Sequence, residues 1–253
     1  RNTRSQVIHI ALTVKSGTRN EPGELEGIAH MTEHMLFKGT AKRTPKEISD
    51  RLEKCGGELN AYTTKEETCL YASSLSEHLD RCLELFADLL FHSTFPDHEI
   101  EKEKEVVVEE INSYKDSPAD LIFDDFEELA FGTHPMAHNI LGTKKNVRHF
   151  TTSVIKDFFA SHYTADRMVI SVVGNIEFAS LVRKCEKYFG SQPALKSAAD
   201  RSVAPVFVPF RKEMNRHTHQ VHALIGCAAP SVYDDHKVAF SLLNNIIGGP
   251  AMT

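Results

Sequence analysis

Several features that define other classes of protein are missing from this sequence of 253 residues. Its five cysteines are widely spaced and include no C-x-x-C pair, so they predict neither a cysteine zinc site nor a disulfide framework. No apolar run is long enough to cross a bilayer, and the net charge of −6 gives no reason to expect nucleic acid as a partner. The hydrophobic fraction of 41% and the charged fraction of 25% are ordinary for a globular protein, so we expect the chain to bury a sizeable hydrophobic core. We expect no membrane and no nucleic acid among its partners.

The start of the sequence bears on its compartment. No hydrophobic segment follows the first residues, so no signal peptide is predicted there. The chain begins with Arg1 rather than Met, which is typical of a trimmed or cloned fragment. An odd number of cysteines without framework spacing is typical of a reducing compartment, and we expect a cytoplasmic location. The mitochondrial matrix and the periplasm stay open if a targeting segment has been removed.

The most informative stretch runs from 27 to 37 and contains His30, Glu33 and His34. Helical residues four apart lie on one face, so the two imidazoles can bind one zinc ion. The carboxylate directly before the second histidine can then reach a water molecule on that ion. This is the H-x-x-E-H order, the reverse of H-E-x-x-H. The alternative is a helix that carries two solvent-facing or hydrogen-bonded histidines.

A catalytic zinc ion usually needs a third protein ligand, and the acid-rich segment 99–112 is the obvious source. This segment predicts a helix in which Glu110 and Glu103 share a mainly apolar side. A carboxylate on that side needs a partner, and a metal ion is one. Glu103 lies two turns earlier and can orient a ligating histidine. We predict Glu110 as third ligand and Glu103 as the support of a ligating histidine, with Glu109, on the polar side, as the alternative ligand.

The pattern of apolar and polar residues predicts alternating strands and helices. Strands are predicted at 7–16, 58–64, 68–74 and 168–173, and helices at 27–37, 45–55, 76–90, 97–114, 119–130, 153–162 and 178–189. These elements form a first unit of about the size of one domain.

The sequence changes character after this first unit. Segment 191–212 contains three prolines with several Ala and Ser residues, which predicts a linker. Residues 219–226 then resemble residues 5–12, and 234–247 predict a helix without the His–Glu motif. We predict a catalytic zinc-binding domain at 1–190, a linker at 191–212 and the start of a truncated, non-metal repeat domain at 213–253. Chance similarity of two strand–loop–helix units is the alternative.

Several motifs occur here together with the spacing of one known family. They are His30, Glu33 and His34; Glu103 and Glu110, seven residues apart; Gly56–Thr64; His134-Pro135 with Leu141-Gly142-Thr143; and 169–175, ending in Gly174-Asn175. On these residues the sequence resembles the inverzincin zinc peptidases of the pitrilysin family. It is most similar to the branch of bacterial processing-peptidase-like proteins and the mitochondrial processing peptidase, over nearly the whole chain.

The resemblance implies an α+β fold with a mixed, largely antiparallel β-sheet and helices on one side, a two-layer sandwich followed by the start of a second domain of the same fold. It implies a zinc-dependent endopeptidase with one Zn²⁺ per catalytic domain, bound by His30, His34 and Glu110, with Glu33 as general base on a zinc-bound water. One segment resembles the family's edge strand, to which an extended peptide can add: Leu59, Asn60, Ala61, Tyr62 and Thr63. An ordinary interior strand is the alternative.

The resemblance also implies partners. Family members close two halves around a peptide, and we expect a homodimer or a heterodimer with a related subunit. The family's second half carries an Arg and Tyr pair near the substrate carbonyl, and no residue here has that role. We therefore expect these 253 residues alone to bind zinc but to cleave peptides poorly. The alternative function is a non-catalytic partner subunit or a peptide-binding protein of the same fold.

Overall fold

The structure, a computed structural model, describes residues 4–192, 206–216 and 219–248. An antiparallel sheet of four strands in the order β2-β3-β1-β4 lies at its centre. The strands are β1 (Val7–Val14), β2 (Glu58–Thr63), β3 (Thr68–Leu75) and β4 (Met168–Val173). Each neighbouring pair is antiparallel, with Leu12 of β1 opposite Leu70 of β3 and Ile170 of β4.

The same described residues form nine α-helices. They are α1 (Ile28–Leu36), α2 (Pro45–Glu53), α3 (Leu79–His92), α4 (Asp97–Lys115), α5 (Pro118–Phe131), α6 (Lys144–His149), α7 (Thr152–His162), α8 (Phe178–Phe189) and α9 (Lys237–Gly248). All but α6 lie within a few residues of the helices predicted from the sequence. None of these helices combines the length and the apolar character that a membrane span requires.

Alternation along the strands explains why the helices lie on one side of the sheet. Alternate residues of β1 are fully buried, and these are Ile8, Ile10, Leu12 and Val14. They join one hydrophobic cluster with side chains of α1, α3, α4 and α7. On the other face, Val169 and Val173 of β4 are 47% and 60% exposed. Because successive side chains of a strand point to opposite faces, one face packs and one stays open, and the predicted α+β fold is confirmed.

Helix α1, which carries the His–Glu motif, is buried along almost its whole length. The carboxyl oxygens of buried Glu21 accept hydrogen bonds from the backbone N–H groups of Gly27 (2.9 Å) and Ala29 (2.8 Å). These bonds satisfy donors that have no partner within the helix. Burial raises the pKa of Glu21 to about 8, although the two N–H groups act in the opposite direction. Glu21 therefore fixes the start of the helix at a cost in desolvation.

Two glycines allow a loop to pack against the same end of α1. Gly27 has φ of +93°, and a Cβ there would lie 2.7 Å from the carbonyl oxygen of Leu141. Gly142 has φ of +69°, and a Cβ there would lie 2.5 Å from the Cα of Gly27. Larger residues do not fit this close backbone approach. The loop around Leu141 and Gly142, part of the family resemblance, thus helps to hold α1 in place.

Beyond residue 206 the structure departs from the predicted repeat. Residues 219–226 form no strand, and Val221 and Ile225 are 96% and 98% exposed. A strand needs a hydrogen-bonded neighbour, and the described residues place none beside this segment. The helix predicted at 234–247 is present as α9. The linker predicted at 191–212 lies largely outside the described residues, and the domain boundaries stay predictions.

Candidate metal centre

Helices α1 and α4 pack against each other and bring three possible metal ligands together. The Nε2 atoms of His30 and His34 lie 3.2 Å apart. Oε2 of Glu110 lies 3.7 Å from Nε2 of His30 and 3.8 Å from Nε2 of His34. Within the described ranges, these three residues form the one group of His, Cys, Asp and Glu side chains close enough to share an ion.

The spacing of these atoms fits a tetrahedral zinc ion. Zinc binds imidazole nitrogen at about 2.0–2.1 Å, so two ligand atoms on a tetrahedral ion are about 3.3–3.4 Å apart. The two histidine nitrogens match that separation, and the glutamate oxygen lies within about half an ångström of it. Three protein ligands are also the number typical of catalytic zinc, whose fourth position is left for water or substrate.

The tautomer of His34 and the charge state of His30 suit metal binding, although burial of His34 is outweighed by the carboxylates around it, which raise the pKa of that imidazole. Nδ1 of His34 lies 2.8 Å from Oε1 of Glu103, and since a carboxylate accepts, Nδ1 carries the proton and Nε2 is free to bind a metal. Burial, and next the nearby His34, lower the pKa of His30 to about 3. His30 is therefore neutral at neutral pH, which is the form that binds zinc. Nδ1 of His30 is buried and has no hydrogen-bond partner in the part of the chain that the structure describes.

Glu103 lies between a candidate ligand and a lysine. One carboxylate oxygen contacts His34, and the other lies 2.6 Å from Nζ of Lys38. Glu103 is buried, and burial acts to raise its pKa, but the hydrogen bonds from His34 and Lys38 outweigh burial and hold the pKa below its usual value. The carboxylate thus stays charged and fixes the ring of His34 from behind, where the sequence predicts a supporting residue.

Glu110 lies at the rim of the interface rather than inside it. Its side chain is 45% exposed, and Val106, one turn earlier, is 51% exposed. The side of α4 that we predicted to be mainly apolar is therefore half open to solvent, because no described element covers its outer part. Glu109 is exposed and accepts a hydrogen bond from Nδ2 of Asn112. Of the two adjacent glutamates, Glu110 is the one near the histidines.

Glu33 lies next to the three candidate ligands and is 8% exposed. Its Oε2 accepts a hydrogen bond of 2.6 Å from Oγ1 of Thr63. Burial raises the pKa of Glu33, and the hydrogen bond from Thr63 acts to lower it. Sequence reasoning assigned Thr63 to a substrate strand and missed this contact. The signal that could have found it is alternation along β2, which places Thr63 on the same face as the packed residues Leu59 and Ala61.

Strand β2 contains all five predicted substrate-binding residues: Leu59, Asn60, Ala61, Tyr62 and Thr63. It pairs with β3 on one side and, among the described residues, with no strand on the other. It packs against α1, and its last residue, Thr63, contacts Glu33. The free edge of this strand therefore leads directly to the candidate metal centre.

Comparison with known proteins gives two family matches. Residues 1–144 match the insulinase family, peptidase family M16, and residues 149–252 match the peptidase M16 inactive domain. YmxG of Bacillus subtilis, an uncharacterized zinc protease, is 38% identical over 242 residues, covering 96% of this chain and 59% of YmxG. An uncharacterized zinc protease of Rickettsia felis is 35% identical over 244 residues, covering 96% of this chain and 58% of the relative. The chain thus spans a little over half the length of these curated relatives.

Solved structures match the fold. A protease from Helicobacter pylori has a TM-score of 0.74 and 28% sequence identity, over 79% of this chain and 48% of that protein. The peptidase M16 inactive domain from Pseudomonas fluorescens has a TM-score of 0.74 and 23% identity, over 81% of this chain and 50% of that protein. At this lower identity the second likeness shows the fold alone.

Proposed function

The chain belongs to the insulinase family of peptidases, family M16, and on that basis we propose that it is a zinc-dependent endopeptidase that hydrolyses peptides or unfolded segments. One observation carries the proposal, namely that the ligand atoms of His30, His34 and Glu110 converge with the carboxyl group of Glu33 beside them. The names of the curated relatives, which are zinc proteases, support zinc as the metal.

The proposed mechanism gives the metal ligands and the general base different roles. His30, His34 and Glu110 would hold the zinc ion, which when bound lowers the pKa of a water molecule toward about 7 and polarises a carbonyl group. Glu33 takes a proton from the attacking water and returns it to the leaving amine. Because Thr63 occupies Oε2 of Glu33, Oε1 is the atom left for this proton. Burial, which raises the pKa of Glu33, favours the proton-carrying form during that step.

Substrate binding is proposed along β2. An extended peptide would add to the free edge of this strand through main-chain hydrogen bonds. Because β2 ends at Thr63, beside Glu33, a peptide bond near that end would be presented to the metal centre. Main-chain pairing depends little on the side chains of the substrate, so we expect weak sequence specificity and a preference for unfolded or extended peptides.

Cleavage that depends on a metal tests the proposal. The protein is assayed with a mixture of unstructured fluorogenic peptides, then treated with a zinc chelator, and then given back one equivalent of zinc. We expect cleavage to stop on chelation and to return with zinc, because three protein ligands leave the ion accessible. A metal-free protein that cleaves as fast as the zinc-loaded one would contradict the proposal.

The alternative, a non-catalytic subunit of this fold, predicts the loss of a ligand or the base. His30, Glu33, His34 and Glu110 are all present, and they lie outside residues 149–252, which match the inactive domain. No observation therefore favours the alternative. A homodimer or heterodimer, weak cleavage by these 253 residues alone, and the cytoplasmic, matrix or periplasmic compartment all stay predictions.

A further inference from the structure

The contact between Thr63 and Glu33 joins the proposed substrate strand to the proposed base. A hydrogen bond to a charged carboxylate is stronger than one between neutral groups, and it is stronger still when water is excluded. The bond here is short, at 2.6 Å, and Glu33 is 8% exposed. Within the proposed peptidase function, we infer that Thr63 is a positioning residue whose hydroxyl holds one oxygen of Glu33 and so presents the other to the reacting water.

The surroundings of Thr63 fix the direction of this hydrogen bond. The hydroxyl of Thr68 donates to the carbonyl oxygen of Ser16 at 2.9 Å, and the Oγ1 atoms of Thr63 and Thr68 lie 3.4 Å apart. A carboxylate can only accept, so the proton of the Thr63 hydroxyl points to Glu33. Thr68 is fully buried and pairs with Thr63 across the β2–β3 ladder, so it supports Thr63 from behind.

The backbone of β2 makes Thr63 a firm support. Leu59 and Ala61, on the same face as Thr63, pack against the hydrophobic core. Threonine is branched at Cβ, which restricts its side-chain rotation. The hydroxyl thus projects from a packed strand rather than from a loop, and strands position such groups more firmly than loops do. A peptide bound along β2 would contact the same strand that holds the base.

Steady-state kinetics separate positioning from substrate binding. Thr63→Val removes the hydroxyl but keeps the shape of the side chain, while Thr63→Ser keeps the hydroxyl. We expect Thr63→Val to lower kcat about ten- to a hundredfold with KM and zinc affinity unchanged, as for the loss of a hydrogen bond to a charged group. Thr63→Ser should restore most of the rate. Thr13 lies on β1, on the face of the sheet opposite to the one that carries Thr63. Thr13→Val is therefore the matched control and should leave kcat, KM and zinc affinity unchanged.

A second measurement does not depend on catalysis. Thermal unfolding of the metal-free protein is compared among wild type, Thr63→Val, Glu33→Ala and the double variant. If the hydroxyl holds Glu33, Thr63→Val lowers Tm more in the wild-type background than in the Glu33→Ala background, because the interaction is already lost in the latter. Additive changes in Tm would overturn the proposed contact.

The outcomes distinguish this inference from the function on which it rests. If the wild type shows no chelator-sensitive cleavage even at a protein concentration high enough to detect the weak turnover expected of these 253 residues, the proposed peptidase function fails, and the positioning role fails with it. If the wild type cleaves but Thr63→Val raises KM with kcat unchanged, Thr63 serves substrate binding and the positioning role is overturned while the peptidase stands. If kcat and KM are both the same in wild type and Thr63→Val, the positioning role is likewise overturned while the peptidase stands.

Discussion

Replacing Glu33 by Gln should abolish peptide hydrolysis and leave zinc bound. Glutamine has nearly the same shape and can still accept a hydrogen bond from Thr63, but it cannot take a proton from water at neutral pH. General bases typically contribute about 10²–10⁴-fold to a rate, and we expect kcat to fall by that factor at least. The measurement is kcat on an unstructured peptide, together with zinc affinity from competition with a chelating indicator.

The control for this variant is Glu24→Gln. Glu24 is exposed and lies nine residues earlier in the chain, so its loss changes the net charge equally without touching the metal centre. We expect the kinetics of this variant to match the wild type. Substantial activity in Glu33→Gln would rule out Glu33 as the general base, whatever the state of the metal.

The second large effect concerns the third ligand. Glu110→Gln replaces a charged oxygen ligand by a neutral amide oxygen, so it should weaken zinc binding. Changing an outer-shell partner typically costs about 10–100-fold in metal affinity, and the loss of a direct ligand should cost at least as much. His30→Ala and His34→Ala should likewise lose the metal. Zinc affinity of each variant, measured by competition, checks the expectation.

Glu109→Gln is a closely matched control for Glu110→Gln. The two residues are adjacent on α4, carry the same charge and are both exposed, but Glu109 accepts a hydrogen bond from Asn112 and lies outside the group of ligand atoms that can share an ion. Its substitution should leave zinc affinity unchanged. Weaker zinc binding in Glu109→Gln, with Glu110→Gln unaffected, would transfer the ligand role to Glu109.

Glu33 and both candidate histidine ligands lie on α1, a helix that is fixed at its two ends. At the start of α1, Glu21 and the contact between Gly27 and Gly142 set its position. At the end of α1, Glu103 holds His34, and Lys38 holds Glu103. A metal site requires its ligands to be held in place before the ion arrives, and this arrangement supplies that preorganisation.

The sequence predicts the features that depend on local periodicity. The spacing of four between His30 and His34 sets a shared helix face whatever the rest of the fold, and the spacing of seven between Glu103 and Glu110 does the same for α4. Alternation of apolar residues in β1 likewise predicts which face of the sheet packs. These features persist because tertiary contacts reinforce the local preference.

The features that local patterns do not predict depend on contacts between distant segments. The bond from Thr63 to Glu33 joins residues 30 positions apart and depends on how β2 lies against α1. The exposure of Glu110 depends on what covers the outer part of α4. Residues 219–226 alternate like a strand but have no paired neighbour among the described residues. The six residues of α6 are too few to show a periodic pattern.

The most direct test of the account is a zinc-soaked crystal measured at the zinc absorption edge. The account predicts one anomalous peak bound by Nε2 of His30, Nε2 of His34 and the carboxylate of Glu110 at about 2.0–2.2 Å, with the carboxyl group of Glu33 beside its open side. Imidazoles that point away from each other, or a Glu110 carboxylate far from the peak in open solvent, would contradict it.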